Sequence, residues 1–193
     1  MMKRLFIGIP IVSEIVVQSV KSWKTDQLLK NDQLNWVNPE NWHITLFFLG
    51  NQPKSAITLL QQIIEESFYS VPFFNTLVTG AGVFLRKRDP KVLWLGLDNI
   101  ALLLTAYTRM GDLLQQNRFA FDYKPLKPHL TVARIKNLQH NASFESFLSQ
   151  NQRYSFGPVG INSVVLYEST LNFNGSVYNP LFVKLLAHEP TEY

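Results

Sequence analysis

Two short segments hold the residues best suited to chemistry: Trp42-His43-Ile44-Thr45-Leu46 and Pro128-His129-Leu130-Thr131-Val132. Side chains alternate along a strand, so each segment sets an imidazole and a hydroxyl on one face and aliphatic chains on the other. A lone histidine on an apolar strand is usually structural. Two in matching contexts, among four in 193 residues, point to a shared task. An imidazole titrates near pH 6.5, so one of a facing pair can be neutral while the other is protonated. On opposite sides of a phosphorus atom, the neutral ring can take a proton from water and the protonated ring can give one to the departing oxygen. The hydroxyls of Thr45 and Thr131 can donate to the non-bridging oxygens. A strained 2′,3′-cyclic phosphate is electrophilic enough to react this way with no metal.

Other chemistries find little support. Zinc sites draw three or four His, Cys, Asp or Glu ligands, and neither motif contains an acidic residue. Glu40 precedes His43 by three residues, but Leu126 stands near that offset in the second copy. The chain has no cysteine, which excludes disulfides, thiol nucleophiles and Cys-based metal sites. No Gly-x-Ser-x-Gly turn, phosphate loop or dinucleotide fingerprint is present. No cofactor is expected.

The elements that position the two motifs read as follows. RLFIGIP at 4–10 is a buried strand ended by proline, and Ser13 caps a helix running to about Leu29. Residues 35–39 read as a polar turn before the strand 41–50. A second helix opens after Gln52-Pro53-Lys54-Ser55, a strand covers about 76–85, and RKRDPK at 86–91 is a charged loop. VLWLGL at 92–97 then matches RLFIGI in apolar character and glycine placement, followed by a helix at 101–116 and the strand 127–136. A helix near 143–150 and strands near 161–167 and 177–186 complete the chain. Gly8 and Gly96 lie 88 residues apart and His43 and His129 lie 86 apart, so the order strand, helix, strand-with-histidine occurs twice. The expectation is one domain, 1–193, with an internal duplication of approximately 1–91 and 92–193. Two equivalent strands about a pseudo-twofold axis would bring their histidines face to face.

The composition, 46% hydrophobic and 17% charged, supports a sizeable core and argues against disorder. The net charge of +4 mildly favours an anionic partner. Lys3 and Arg4 precede an apolar run, as in a signal peptide, but Glu14 follows and no small-residue cleavage site appears, so a first strand is the better reading. No segment approaches the ~20 apolar residues of a membrane-spanning helix. A soluble, cytoplasmic monomer is the default expectation.

HITLFFLG (43–50) and HLTVAR (129–134) resemble the paired His-x-Thr-x motifs of the 2H phosphoesterases, most closely the RNA 2′,3′-cyclic phosphodiesterase branch, also labelled 2′-5′ RNA ligase or LigT-like. The likeness runs nearly end to end, through RLFIGIP, WVNPENWHITLFFLG, KVLWLGL, KPHLTVAR and LYES (166–169). It implies an α+β fold of two pseudo-symmetric lobes of antiparallel sheet, helices on the outer faces, flanking a central cleft. It also implies hydrolysis of RNA 2′,3′-cyclic phosphate ends to 2′-phosphomonoesters, with 2′-5′ joining of RNA ends as a secondary reverse activity. On this resemblance His43 is the proton donor, His129 the proton acceptor, and Thr45 and Thr131 are phosphate clamps. Arg134 looks like a ligand contact, although strict alternation puts it opposite His129. Phe48, its counterpart in the repeat, could stack a base, with core packing the favoured reading. Arg86, Lys87, Arg88, Lys91 and Lys127 could steer an RNA backbone, though a solvated loop is the commoner role of such a run. His140 and His188 are expected to do nothing specific. The competing classes are a nucleotide- or RNA-binding module without turnover, and a related phosphodiesterase acting on 2′-5′ oligonucleotides or cyclic nucleotides.

Overall fold

Leu5, Ile7 and Ile9 alternate along Met2–Pro10 and are fully buried, which makes this segment the central strand β1. Helix α1 (Glu14–Trp23) starts at Ser13, whose side chain accepts from the Val16 amide at 3.5 Å. The spacing that suggested a helix to Leu29 ends earlier. A 3-10 turn at Gln27–Leu29 takes over, capped by Asp26, which accepts from the Leu28 amide at 2.8 Å. The chain continues through β2 (Gln33–Trp36), β3 (His43–Pro53), α2 (Ala56–Ser67), β4 (Phe74–Arg86), β5 (Asp89–Leu97) and α3 (Ala101–Gln116). It ends with β6 (His129–Asn137), α4 (Asn141–Asn151), β7 (Ser155–Ile161), β8 (Ser163–Asn172) and β9 (Gly175–Leu185). The computed structural model describes residues 1–87, 89–121, 124–172 and 175–187; Arg88 and His188 lie outside them.

The strands form one antiparallel sheet in the order β7-β4-β5-β6-β3-β1-β8-β9, with β2 against the far end of β6. Curled into a half-barrel with four helices, it gives the expected α+β fold, the two lobes being the two halves of the sheet. Apolar residues on one face of the sheet pack under the helices. Tyr107 of α3 stacks on Phe47 of β3 at 4.4 Å, and Trp23 of α1 meets Phe147 of α4 and Phe156 of β7 edge-on at 4.8 and 5.3 Å. Each half of the sheet takes strands from both halves of the chain: β1 and β3 sit with β8 and β9, while β5 and β6 sit with β4 and β7.

Two strands depart from the sequence reading. The polar turn at 35–39 begins inside β2, which is held to β6 by main-chain pairing from Gln33 to Trp36. β7 is an added strand whose Gly157, Pro158 and Gly160 mask its β character, and Gly157 takes a φ of 119°. Of the charged loop expected at 86–91, Arg86 ends β4 and Asp89 opens β5, and the two are paired. Among the described residues no helix is long and apolar enough to cross a membrane.

Candidate active site

Among the described residues β3 and β6 share a single ladder pair, Ile44 opposite Leu130. Because the strands run in opposite senses, that pair sets His43 beside Thr131 and Thr45 beside His129. Ile44 and Leu130 are fully buried toward the helices, so the two imidazoles and two hydroxyls take the opposite face. That face forms a cleft of about 440 Å³, lined by His43, Thr45, Thr131, Phe48 and Arg134 among others, while His129 shares the face by register and stands outside the lining.

Past each motif the strand carries one extra residue at the same place. β1 pairs Gly8 with Thr45 and Ile7 with Phe47, passing over Leu46. β5 pairs Trp94 with Thr131 and Leu93 with Ala133, passing over Val132. Each bulge buries two successive side chains, Leu46 with Phe47 and Val132 with Ala133, and returns the next one to the cleft. Arg134 thus reaches the cleft despite the alternation rule. The same device overturns the favoured core-packing reading of Phe48, whose side chain is 46% exposed, with the Arg4 guanidinium 4.9 Å from its ring centre.

Both rings are fixed by the same local bond. His43 Nδ1 lies 2.7 Å from the carbonyl of Asn41, and His129 Nδ1 lies 2.7 Å from that of Lys127. A carbonyl only accepts, so each Nδ1 carries the hydrogen and Nε2 is the nitrogen able to exchange a proton. Gly8 makes room for the first ring: a Cβ there would stand 3.0 Å from the Ile44 carbonyl and 3.4 Å from His43 Cδ2. Around the rings the two halves differ. His43 packs on Phe6 and Tyr178, with centroids at 4.9 and 5.0 Å, whereas His129 meets Phe84 edge-on at 4.6 Å.

The family model of the AKAP7 2′5′ RNA ligase-like domain matches residues 5–181. The RNA 2′,3′-cyclic phosphodiesterase of Thermotoga maritima is 31% identical over 182 residues, 93% of each chain. The chain belongs to this family of 2H phosphoesterases. The RNA 2′,3′-cyclic phosphodiesterase of Aquifex aeolicus is 32% identical over 146 residues, covering 74% of this chain and 77% of its own. A crystal structure of E. coli LigT complexed with 3′-AMP superposes with a TM-score of 0.74 at 21% identity, covering 96% of this chain and 99% of that one. That likeness is one of fold.

In this 2H phosphoesterase the surroundings of His43 act on its titration. Burial lowers the pKa of His43 below the ordinary imidazole value; the Asn41 carbonyl opposes the shift, and the positive charges of His129 and Arg134 add to it. Among the described residues no carboxylate lines the cleft, and neither Arg4 nor Arg134 has an ion-pair partner. The site is therefore a ready receptor for an anion. Sequence reasoning missed Arg4, Trp36, Tyr178, Ser169 and Ser176, all of which line it. Trp36 stood in the segment read as a turn, and the others sit on strands far in sequence from either motif. Of the basic residues set aside for steering, Lys91 lies 3.6 Å from Asp89 and lines a separate groove. Lys127 contributes its carbonyl. His140 precedes α4 without a capping bond from its side chain.

Proposed function

We propose that this chain hydrolyses the 2′,3′-cyclic phosphate at RNA ends to a 2′-phosphomonoester by acid–base catalysis between His43 and His129, with no metal. The observation that carries the reading is the pair of imidazoles, each fixed through Nδ1 and, by the Ile44–Leu130 register, each beside a hydroxyl on the sheet face that forms the anion-receptive cleft. The names of the relatives from Thermotoga maritima and Aquifex aeolicus support it. His129 Nε2 takes a proton as water attacks phosphorus, the bond from phosphorus to O3′ breaks, and His43 gives its Nε2 proton to O3′. Thr45 and Thr131 hydroxyls donate to the non-bridging oxygens. Solvent then returns His43 to its protonated and His129 to its neutral form. The donor and acceptor roles follow the family resemblance. With an RNA 5′-hydroxyl replacing water as nucleophile, the same groups would form a 2′-5′ linkage. Incubation with an oligonucleotide ending in 2′,3′-cyclic phosphate, in EDTA, yields a 2′-phosphate end; folded protein giving no product sinks the proposal.

Burial of His43 adds a signature in pH. A proton donor must be protonated, yet this ring sheds its proton below the usual pH of about 6.5 in the free protein. A bound phosphate places negative charge beside it and raises its pKa. The descending limb of kcat/KM, which reports the free protein, therefore lies at lower pH than that of kcat, which reports the complex. Proton NMR of the His43 ring checks the same point, with a midpoint below 6.5 that rises when adenosine 2′-phosphate binds. Coincident limbs and an unmoved midpoint would contradict the assignment.

A further inference from the structure

The cleft holds a second cation that the two-histidine chemistry does not use. Arg4, near the start of β1, shares the cleft face with Phe6 and Gly8, while Leu5 and Ile7 point into the core. β1 pairs Leu5 with Glu168 of β8, and the antiparallel register carries Arg4 to Ser169. Ser176, on the facing strand β9, lines the same cleft. The nearby carboxylate, Glu168, bonds to the Lys3 ammonium instead. The Arg4 side chain has no hydrogen bond or ion pair among the described residues; its neighbour of note is Phe48, whose ring centre lies 4.9 Å from the guanidinium carbon.

The two arginines serve different places. Arg134 is near enough to His43 for its charge to depress that ring's pKa, whereas Arg4 is not among the groups that do so. Arg134 and Phe48 follow the motifs of oppositely directed strands, so they flank the histidines at opposite ends, and Arg4 stands at the Phe48 end. A guanidinium that shares its cleft with two hydroxyls, the nearby Glu168 carboxylate being held by Lys3, suits a phosphate group.

We propose that Arg4, Ser169 and Ser176 form a subsite for the 5′-phosphate of the terminal nucleotide, the group that joins it to the rest of an RNA chain. The inference rests on the function proposed above. With the cyclic phosphate between the histidines and the base on the free face of Phe48, the ribose carries its 5′ substituent past the ring toward Arg4. The cleft, at about 440 Å³, falls within the range of pockets that enclose whole small ligands. The preferred substrate is then a 5′-phosphorylated or chain-linked end rather than a cyclic mononucleoside phosphate.

Two pairs of ligands test this on the wild type and on Arg4→Gln, an exposed substitution that spares the core. Turnover is compared between adenosine 2′,3′-cyclic phosphate with a 5′-hydroxyl and the same compound with a 5′-phosphate. Calorimetry compares adenosine 2′-phosphate with adenosine 2′,5′-bisphosphate, which need no chemistry. The wild type favours the 5′-phosphorylated member of each pair by about tenfold or more, as suits a hydrogen bond to a charged group. Arg4→Gln abolishes that ratio. A ratio near one in the wild type, or one that survives the substitution, overturns the subsite. Equal losses on both members would reduce Arg4 to a support for Phe48 and overturn it as well. If neither cyclic compound is turned over but the bisphosphate preference appears and depends on Arg4, the subsite stands and the hydrolytic reading falls.

Discussion

Alanine in place of His43 or His129 lowers the rate on a cyclic-phosphate end by about 10²–10⁴-fold, the usual worth of a positioned acid or base. Each ring hangs from a cleft-facing strand position by one bond to a main-chain carbonyl two residues back, so its removal leaves the ladder pairs and the core unchanged. Circular dichroism and the thermal midpoint should stay close to wild type. Removing both rings costs much less than the product of the single losses, because on the proposed mechanism acid and base act as a unit in one transition state. Either single variant retaining a rate within tenfold of wild type would remove that ring from the mechanism. A double variant showing full multiplicative loss would mean the two rings serve separate steps.

The second large effect lies beneath the site. Ile44 and Leu130 are fully buried and form the pair through which the two halves of the sheet meet. Ile44→Ala or Leu130→Ala costs about 2–5 kcal/mol by lost burial and a residual cavity. Denaturant unfolding measures this, and loss below about 1 kcal/mol would show that the sheet halves are held chiefly elsewhere. Activity falls further than the unfolded fraction explains, since a small shift at this pair moves both histidines relative to a shared phosphate. The double substitution departs from additivity because the two residues face each other across the ladder.

These two effects track what could be read from the chain. The motif strands were legible because period-two alternation is local: His43 with Thr45, and His129 with Thr131, follow from the sequence alone. The bulges were not. An extra residue in a ladder is defined by the partner strand, and nothing in Leu46-Phe47 or Val132-Ala133 announces which residue β1 and β5 will pass over. Phe48 and Arg134 were therefore placed with difficulty, the first on the wrong face. β2 is four residues long, flanked by turn formers and stabilised by pairing to β6 rather than by its own pattern. β7 was hidden by its glycines and proline. Arg4 gave no signal because a basic residue opening a strand is ordinary; its meaning comes from Phe48 and from a hairpin more than 160 residues away.

The exchange of strands between the halves of the chain bears on handedness of binding. Two identical subunits trading strands in this way would be obliged to build a twofold-symmetric receptor, with the same residue at both ends and the same neighbours around each imidazole. A single continuous polypeptide is free of that obligation. Here one end of the cleft offers a ring and the other a guanidinium, and one histidine sits against Phe6 and Tyr178 while the other meets Phe84. A ligand whose own ends differ is accordingly given a direction in which to lie.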